Sequence, residues 1–385
     1  MQHFYPLKLT PIYKQMLWGG QRLNTIYGRD LPYEKTGESW DISCRPDEMG
    51  IIENGPAAGQ TLADYIARDK AGVLGTRLAS LERFPLLVKL IDANDTLSVQ
   101  VHPGDGDNKE HPSTTGQRQI PETGKSEMWY ILVPPTCGHI IMGLKPGITP
   151  TALRAAIANG TVESCLHRQP VSAGDIVNIP AGLIHALTPG IMVAEVQQNS
   201  DTTYRLYDFN RLSPDGKPRD LHVEEAIAVA DFDGKIPKSI TPGLAIKKGN
   251  CTQTYAIANK HFAIIKYDLN GHYEEASNPE AFTIFTCVEG EAEILTTQPQ
   301  YPRRGGILPP AQVGPITQNK TITPLPKGRS ILIPASQGNY IICPKQGRCT
   351  LLKSFVPDVE KDFIAPLKAH GYSNNNIATN TDINQ

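Results

Sequence analysis

The sequence predicts a mainly β protein made of two β-barrels with a few short α-helices. Glycine and proline separate short apolar, β-rich runs along most of the 385 residues, a pattern typical of sandwich or barrel architecture. An internal repeat supports the same fold, because Gly174-x5-Pro180 recurs as Gly328-x5-Pro334 and each copy encloses an apolar strand. A repeated strand-and-turn unit indicates two similar domains.

Strand-length apolar runs dominate the first 200 residues, and helical patterns are few. The predicted strands are residues 86–91, 97–102, 128–133, 176–179 and 192–197. The predicted helices are residues 61–81, with Thr61 as the N-cap, 149–158 and 223–230. From about residue 241 the pattern is again that of strands.

Composition and charge exclude several classes of function. A formal net charge of -2 provides no electrostatic reason to bind nucleic acid or an anionic membrane. The first residues lack the basic-then-apolar order of a signal peptide, and no apolar run approaches the roughly 18 residues of a membrane helix. Seven scattered cysteines without a Cys-x-x-Cys pair indicate reduced thiols. We therefore expect a cytoplasmic globular protein that acts on a small molecule; a weakly held homo-oligomer is compatible with this composition.

Four polar side chains form a candidate metal site. Gln100 and His102 are two residues apart in a predicted strand, so their side chains leave the same face. Glu127 opens another apolar strand, and His185 follows a Pro-Ala-Gly turn. An amide oxygen, two imidazoles and a carboxylate suit a divalent metal such as zinc. Each residue alone has an ordinary structural interpretation, but the long, specific spacing from Gly174 to His185 favours the metal site.

The second copy of the repeat lacks these ligands. Aligning 282–288 with 127–133 puts Phe282 in the place of Glu127 and Asn339 opposite His185. We therefore expect one metal ion per chain. The expected organisation is a metal-binding catalytic domain with short helices at 1–240, a second domain without ligands at 241–357, and a C-terminal segment at 358–385 with a frayed polar end.

These motifs resemble those of the cupin superfamily. The segment from Gly174 to His185 resembles the second cupin motif. Gln100, His102 and Glu127 resemble the first motif, with glutamine replacing its first histidine and a long insertion before the glutamate. The combination is similar to the type I mannose-6-phosphate isomerases of the shorter bacterial kind. The matching blocks are residues 17–20, 84–93, 97–105, 124–130, 180–185 and 195–211.

The resemblance implies two jelly-roll cupin barrels and a zinc-dependent interconversion of mannose 6-phosphate and fructose 6-phosphate. Such an aldose–ketose isomerisation moves a proton between neighbouring carbons through an enediol(ate). The family places an active-site arginine at Arg205, with an ordinary ion-paired arginine as the alternative. Our candidate for the proton carrier is Glu195, because burial in its apolar strand would raise the carboxyl pKa. A solvent-facing position on an edge strand is the alternative for Glu195.

A phosphorylated substrate also needs a cationic site. Lys89 lies within an apolar predicted strand, where a solvated lysine would be unusual. Ser98 precedes Gln100 by two residues, and Lys125 precedes Glu127 by two, so each is expected on the face of a ligand. We therefore predict that Lys89, Ser98 and Lys125 contact the phosphate group, although Lys125 could be a simple loop cation.

Two other classes of function stay open at this point. One is a cupin metalloenzyme of different chemistry, such as an iron-dependent dioxygenase or another sugar-phosphate epimerase. The glutamine at position 100 argues against a dioxygenase, which tends to use a His-x-His pair. The other is a non-catalytic sugar-phosphate sensor, which could dispense with Glu195 and Arg205.

Overall fold

The computed structural model describes residues 4–106, 124–213, 215–233, 240–297 and 320–383. Within that part, the first half of the chain forms eleven strands. They are β1 (Ile12–Gly20), β2 (Thr36–Ile42), β3 (Leu86–Ala93), β4 (Val99–Val101), β5 (Glu127–Val133), β6 (His139–Leu144), β7 (Leu166–Pro170), β8 (Ile176–Ile179), β9 (His185–Ala186), β10 (Ile191–Gln198) and β11 (Tyr204–Tyr207).

The strands of the first half form two sheets that pack face to face. One sheet has the order β1-β2-β3-β10-β5-β8, and the other has the order β11-β4-β9-β6-β7. Trp18, Ile91 and Trp129 of the first sheet share a core with Ile140 and Met142 of the second. This antiparallel double sheet confirms the predicted mainly β, jelly-roll fold. Among the described residues the sheets stay open and do not close into the predicted barrels.

The second half contributes nine strands to one further sheet. They are β12 (Leu244–Lys248), β13 (Cys251–Ala258), β14 (Ala263–Leu269), β15 (Tyr273–Ala276), β16 (Thr283–Thr297), β17 (Lys320–Leu325), β18 (Ser330–Ile333), β19 (Asn339–Phe355) and β20 (Asp382–Ile383). The main path is β12-β13-β14-β19-β16-β17. Register shifts interrupt the long β16–β19 pairing, and such bulges let a strand bend from one layer into the next.

The helices are short. They are α1 (Arg22–Tyr27), α2 (Leu62–Arg68), α3 (Lys70–Leu74), α4 (Pro150–Ala158), α5 (Val223–Val229), α6 (Ala365–Ala369) and α7 (Asn374–Asn380). Single tighter or wider helical turns occupy Gly55–Ala57, Val162–Cys165 and Val359–Ile364. The structure bears out the predicted α4 and α5, and the Thr149 hydroxyl caps α4 by accepting from the Ala152 backbone N–H.

One helix prediction is wrong in detail, and part of the tail forms a short helix. The helix expected at 61–81 is two short helices, because Asp69 leaves the helical conformation and its side chain caps α3 at Gly72. The tail expected to fray forms α7, which has a capping box and buries Ile377. Strand β20 then pairs with β13.

The two halves share one apolar core. The rings of Phe84 and Phe282 stack with centroids 4.9 Å apart, one from each half. The Arg77 guanidinium donates to the Val356 carbonyl oxygen at 2.7 Å. Such a common core holds the two halves together by burial of apolar surface.

The strand pairing also corrects the alignment of the repeat. Glu127 pairs with Ile179, the residue before Pro180, and Thr283 pairs with Ile333, the residue before Pro334. Thr283 therefore takes the place of Glu127, and the proposed match to Phe282 is wrong by one residue. The difference matters because a shift of one residue turns a side chain to the opposite face of the sheet.

Candidate active site

A cavity of about 310 Å³ opens between the two sheets of the first half, and the predicted site residues converge on it. Every predicted site residue except His102 lines its wall. His102 is buried directly behind the wall, against Glu127. Strands distant in sequence thus bring the proposed ligands, the proposed proton carrier and the proposed phosphate contacts together.

Strand alternation and one tight turn position the metal-ligand candidates. Val99 and Val101 of β4 pack beneath the helices, so the intervening Gln100 points into the cavity. Gln100 pairs directly with His185 on β9. Gly182 precedes His185 with φ of +85°, a conformation that favours glycine, and its N–H donates to the His102 carbonyl at 2.9 Å.

The four candidate ligands form a compact cluster. Glu127 lies between two imidazoles: its Oε2 is 3.4 Å from His102 Nε2, and its Oε1 is 3.3 Å from His185 Nε2. The side-chain amide of Gln100 is 3.3 Å from His185 Nε2, and a half-turn of that amide would present its oxygen. The ligand atoms of His102, Glu127 and His185 lie within 4.8 Å of one another.

The donor set fits a divalent metal ion. Backbone carbonyls of Thr202 and Leu183 lie 2.9 and 2.8 Å from the Nδ1 atoms of His102 and His185, which leaves both Nε2 atoms facing Glu127. The Lys125 ammonium hydrogen-bonds to both Glu127 Oε2, at 2.7 Å, and His102 Nε2, at 2.9 Å. A positive charge thus already bridges two of the proposed ligands.

Burial sets the protonation states that a metal site requires. Desolvation and the nearby Lys125 lower the pKa of His102 to about 3, and desolvation lowers the pKa of His185. Burial alone would raise the pKa of Glu127, but Lys125 and His102 lower it well below its usual value. Neutral imidazoles and an ionised carboxylate are the forms that coordinate metals.

Glu195 and Lys89 lie side by side on the central strands β10 and β3. The Trp129 indole N–H donates to Glu195 Oε2 at 2.9 Å, while Glu195 Oε1 is buried and has no hydrogen-bond partner among the described residues. Lys89 Nζ lies 3.6 Å from that oxygen and 3.4 Å from Glu38 Oε2. Glu195 is only 3% exposed, so it is not at a solvent-facing edge.

The charges of this group are strongly perturbed. Burial and the neighbouring Glu127 carboxylate raise the pKa of Glu195 to about 7. Burial would lower the pKa of Lys89, but the carboxylates of Glu38 and Glu195 together raise it. A carboxyl that titrates near neutral pH suits a group that both takes and returns a proton.

Arg205 and Ser98 complete the predicted set. Arg205 pairs with Gln100 across β11 and β4, and its guanidinium donates to the Asp220 carbonyl oxygen at 2.7 Å. Burial and the nearby Arg219 lower the pKa of Arg205. Its buried Nε has no hydrogen-bond partner within the described ranges. The Ser98 hydroxyl is 3.4 Å from Gln100 Oε1, on the ligand face as predicted.

Sequence reasoning missed four polar residues of the cavity wall: Glu38, Asp201, Thr203 and Arg219. Asp201 and Thr203 lie inside the block 195–211 that carried the family resemblance, so that block was the available signal. Arg219 follows in a loop, held by Asp208, which accepts from its Nε at 2.7 Å. Nothing local in the sequence distinguishes Arg219 from other loop arginines.

The chain is similar to known proteins of one family. Residues 7–137 match the family model "Phosphomannose isomerase type I, catalytic domain". The chain is 35% identical over 91% of its length to the putative mannose-6-phosphate isomerase YvyI of Bacillus subtilis, 99% of which is covered. It is 36% identical over 79% of its length to the mannose-6-phosphate isomerase of Streptococcus mutans, 92% of which is covered.

The fold of the chain is also similar to that of solved structures. The crystal structure of mannose 6-phosphate isomerase from Bacillus subtilis matches with a TM-score of 0.74 and 32% identity, covering 91% of this chain and 99% of that one. In the described part of the chain, no helix is long and apolar enough to cross a membrane. Because the identity extends over nearly the whole chain of a relative, the chain belongs to the type I mannose-6-phosphate isomerase family.

Proposed function

We propose that the protein is a cytoplasmic, zinc-dependent isomerase that interconverts mannose 6-phosphate and fructose 6-phosphate through an enediol(ate). One observation carries this proposal: a single cavity joins the ligand cluster, several cations, and a carboxylate oxygen that has no hydrogen-bond partner in the described part of the chain. Isomerisation needs these three elements, because it must polarise a carbonyl, move a proton and hold a phosphate group.

The metal would be held by Gln100, His102, Glu127 and His185, one ion per chain. When bound, zinc supplies a Lewis acid that polarises the sugar oxygens. Lys125 hydrogen-bonds to two of these residues and also lines the cavity, where a substrate group could contact it.

Glu195 would carry the proton between C1 and C2 of the open-chain sugar. The Trp129 indole N–H donates to Oε2 of this carboxylate, which leaves Oε1 available to accept a proton from the substrate. Lys89 lies close enough to stabilise the ionised carboxylate. With a pKa near 7, Glu195 can remove a proton in its ionised form and return it from its protonated form.

Cations on the cavity wall would bind the rest of the substrate. We assign Lys89, Ser98 and Lys125 to the phosphate group, and Arg205 to the negative charge that develops on the enediolate. Arg219, which Asp208 orients toward the same cavity, adds a further positive charge. Arginine side chains suit this task because their fixed donors match anionic oxygens.

A coupled assay of fructose 6-phosphate formation from mannose 6-phosphate tests the proposal. We expect turnover that a chelator abolishes and zinc restores. Metal analysis and oxygen uptake on the same preparation distinguish the dioxygenase alternative. Absence of turnover in the zinc-replete protein would contradict the proposal, as would bound iron with substrate-dependent oxygen consumption.

A further inference from the structure

The second half of the chain has a cavity of its own. Its volume is about 370 Å³, slightly more than that of the candidate active site. Volumes of this size are typical of small-molecule sites. Its wall includes four aromatic side chains and several polar ones, and it is separate from every residue assigned above to the isomerase site.

Strand pairing shows that this cavity is the repeat of the first one. Glu195 pairs with Lys89 on one side and with Trp129 on the other. Lys353 pairs in the same manner with Ile265 and Phe285. Since the order β3-β10-β5 corresponds to β14-β19-β16, Lys353 takes the place of Glu195.

Two further positions follow the same correspondence. Thr283 replaces the metal-ligand candidate Glu127, as the register of β16 shows, and it lines the second cavity. Gln253 pairs with Tyr267 on the neighbouring strand, as Glu38 pairs with Ile91 in the first half. Gln253 therefore takes the place of Glu38, and Tyr267 that of Ile91. All four residues line the cavity of their own half. The second half has therefore kept the cavity and exchanged its chemistry.

The exchanged side chains form a charge-balanced network. Lys353 makes an ion pair with the largely buried Glu275, and the Tyr267 hydroxyl donates to the same carboxylate oxygen at 3.2 Å. The Gln253 amide donates to the Tyr273 hydroxyl at 3.1 Å. The other carboxylate oxygen, Glu275 Oε2, is buried and has no hydrogen-bond partner among the residues that the structure describes.

We propose that this cavity binds a neutral, polyhydroxylated small molecule, of the class of an unphosphorylated hexose or polyol. A buried carboxylate oxygen without a donor is costly, and a sugar hydroxyl would supply that donor. Tyr267, Tyr273 and Phe355 provide aromatic surface for the carbon face of such a ligand.

The same charges disfavour a phosphorylated ligand. The wall carries two lysines, Lys248 and Lys353, against the three carboxylates Glu274, Glu275 and Asp362. Glu275 already compensates Lys353, and Arg77 lies 3.7 Å from Asp362, so the wall offers an anion no net positive charge. The first cavity has two lysines and two arginines in its wall against four carboxylates, Glu38, Glu127, Glu195 and Asp201, so its positive charge would come from the proposed metal.

Binding of sugars that cannot be isomerised tests the inference on the full-length protein. We would titrate methyl α-D-mannopyranoside, methyl α-D-glucopyranoside and D-mannitol by calorimetry and follow tryptophan fluorescence. All three tryptophans lie at the first cavity: Trp18 and Trp129 in its wall, and Trp40 with its ring 4.8 Å from Lys89 Nζ. We expect saturable binding of at least one of these ligands without a change in tryptophan fluorescence.

Variants assign that binding to the second cavity. Glu275→Gln should weaken it at least tenfold, and Thr283→Leu, which adds apolar bulk to the wall, should do the same if the first variant fails to fold. Turnover of mannose 6-phosphate should stay within twofold in both. Glu291→Gln is the matched control, since that carboxylate is half-exposed and its ion-pair partner is the exposed Lys345 at 3.5 Å.

Three results would overturn the inference. The first is the absence of binding by all three ligands. The second is binding that changes tryptophan fluorescence and is unaffected by Glu275→Gln, which would assign it to the first cavity. The third is displacement of the sugar by inorganic phosphate, which would indicate an anion site. None of them depends on isomerase turnover, so this inference and the proposed function can fail separately.

Discussion

Replacing Glu195 by glutamine should abolish most of the activity while making the fold more stable. The variant keeps the size of the side chain and the acceptor for the Trp129 indole, but it removes the group that takes the proton. General acid–base catalysis contributes about 10²- to 10⁴-fold to the rate, so kcat should fall by that factor. This corresponds to an activation barrier higher by about 3–5 kcal/mol.

The gain in stability follows from the raised pKa. The Glu195 carboxyl has a pKa of about 7 in the folded protein against an ordinary value of 4.5, a difference that corresponds to roughly 3 kcal/mol. Below pH 4.5 the group is protonated in both states and the variant gains nothing. As pH rises from 4.5 to 7, the wild-type protein progressively loses this free energy of unfolding, whereas the variant does not. Above pH 7 the variant is more stable than the wild-type protein by the full amount. Loss of the contact with Lys89 makes the 3 kcal/mol an upper bound.

Two measurements check this prediction against a matched control. Coupled assays across pH 5.5–8.5 should show an acidic limb near pH 7 that is missing from the residual activity of the variant. Denaturant unfolding of the chelated protein at pH 4.5 and pH 8 should show a stability gain only at the higher pH. The control is Glu38→Gln, because Glu38 also contacts Lys89 and accepts from a tryptophan, Trp40. Equal activity loss in both variants, or less than tenfold loss in Glu195→Gln, would refute the assignment.

Three further predictions address the metal, the phosphate group and the shared core. Glu127→Gln removes the carboxylate between both imidazoles, so metal per chain measured after dialysis should fall from about one to near zero; full retention would contradict the ligand assignment. Lys89→Ala should raise KM for mannose 6-phosphate roughly tenfold to hundredfold, since a charge-assisted hydrogen bond contributes about 1.5–3 kcal/mol. Lys14→Ala is its control, as Lys14 contacts the same Trp40 ring but does not line the cavity, and an unchanged KM in Lys89→Ala would sink the phosphate assignment. Phe282→Ala should lower the free energy of unfolding by about 3–5 kcal/mol in denaturant titration, whereas Ile322→Ala, at a 55% exposed position, should change it by less than about 0.5 kcal/mol. Similar effects of these two substitutions would contradict the shared core.

Short-range geometry explains why the ligand candidates could be identified from the sequence. Gln100 and His102 share a face because strands alternate every second residue, and His185 follows a turn that glycine and proline mark. The structure places both histidines within 3.4 Å of Glu127, and the Gln100 amide lies 3.3 Å from His185. No long-range information was needed to recognise these patterns.

Long-range pairing explains what the sequence could not show. The match of Phe282 to Glu127 failed because register between strands depends on the whole sheet, and an error of one residue reverses the face. Glu38 enters the site only because β2 pairs with β3, far along the chain. The tail beyond Tyr372 is polar in composition, yet burial of Ile377 and its capping box make it helical.

The sequence by itself determined the mainly β class, the duplicated scaffold and the family, and it identified the candidate ligands, because all of these rest on local periodicity and motif spacing. Only the tertiary structure decided which charged side chains line the same cavity and how their pKa values and ion pairs are set. Glu195 acquires a pKa near 7, and Lys353 pairs with Glu275, through burial and contacts between strands remote in sequence. The second cavity became visible for the same reason, since its equivalence to the first lies in strand pairing and not in matching residues.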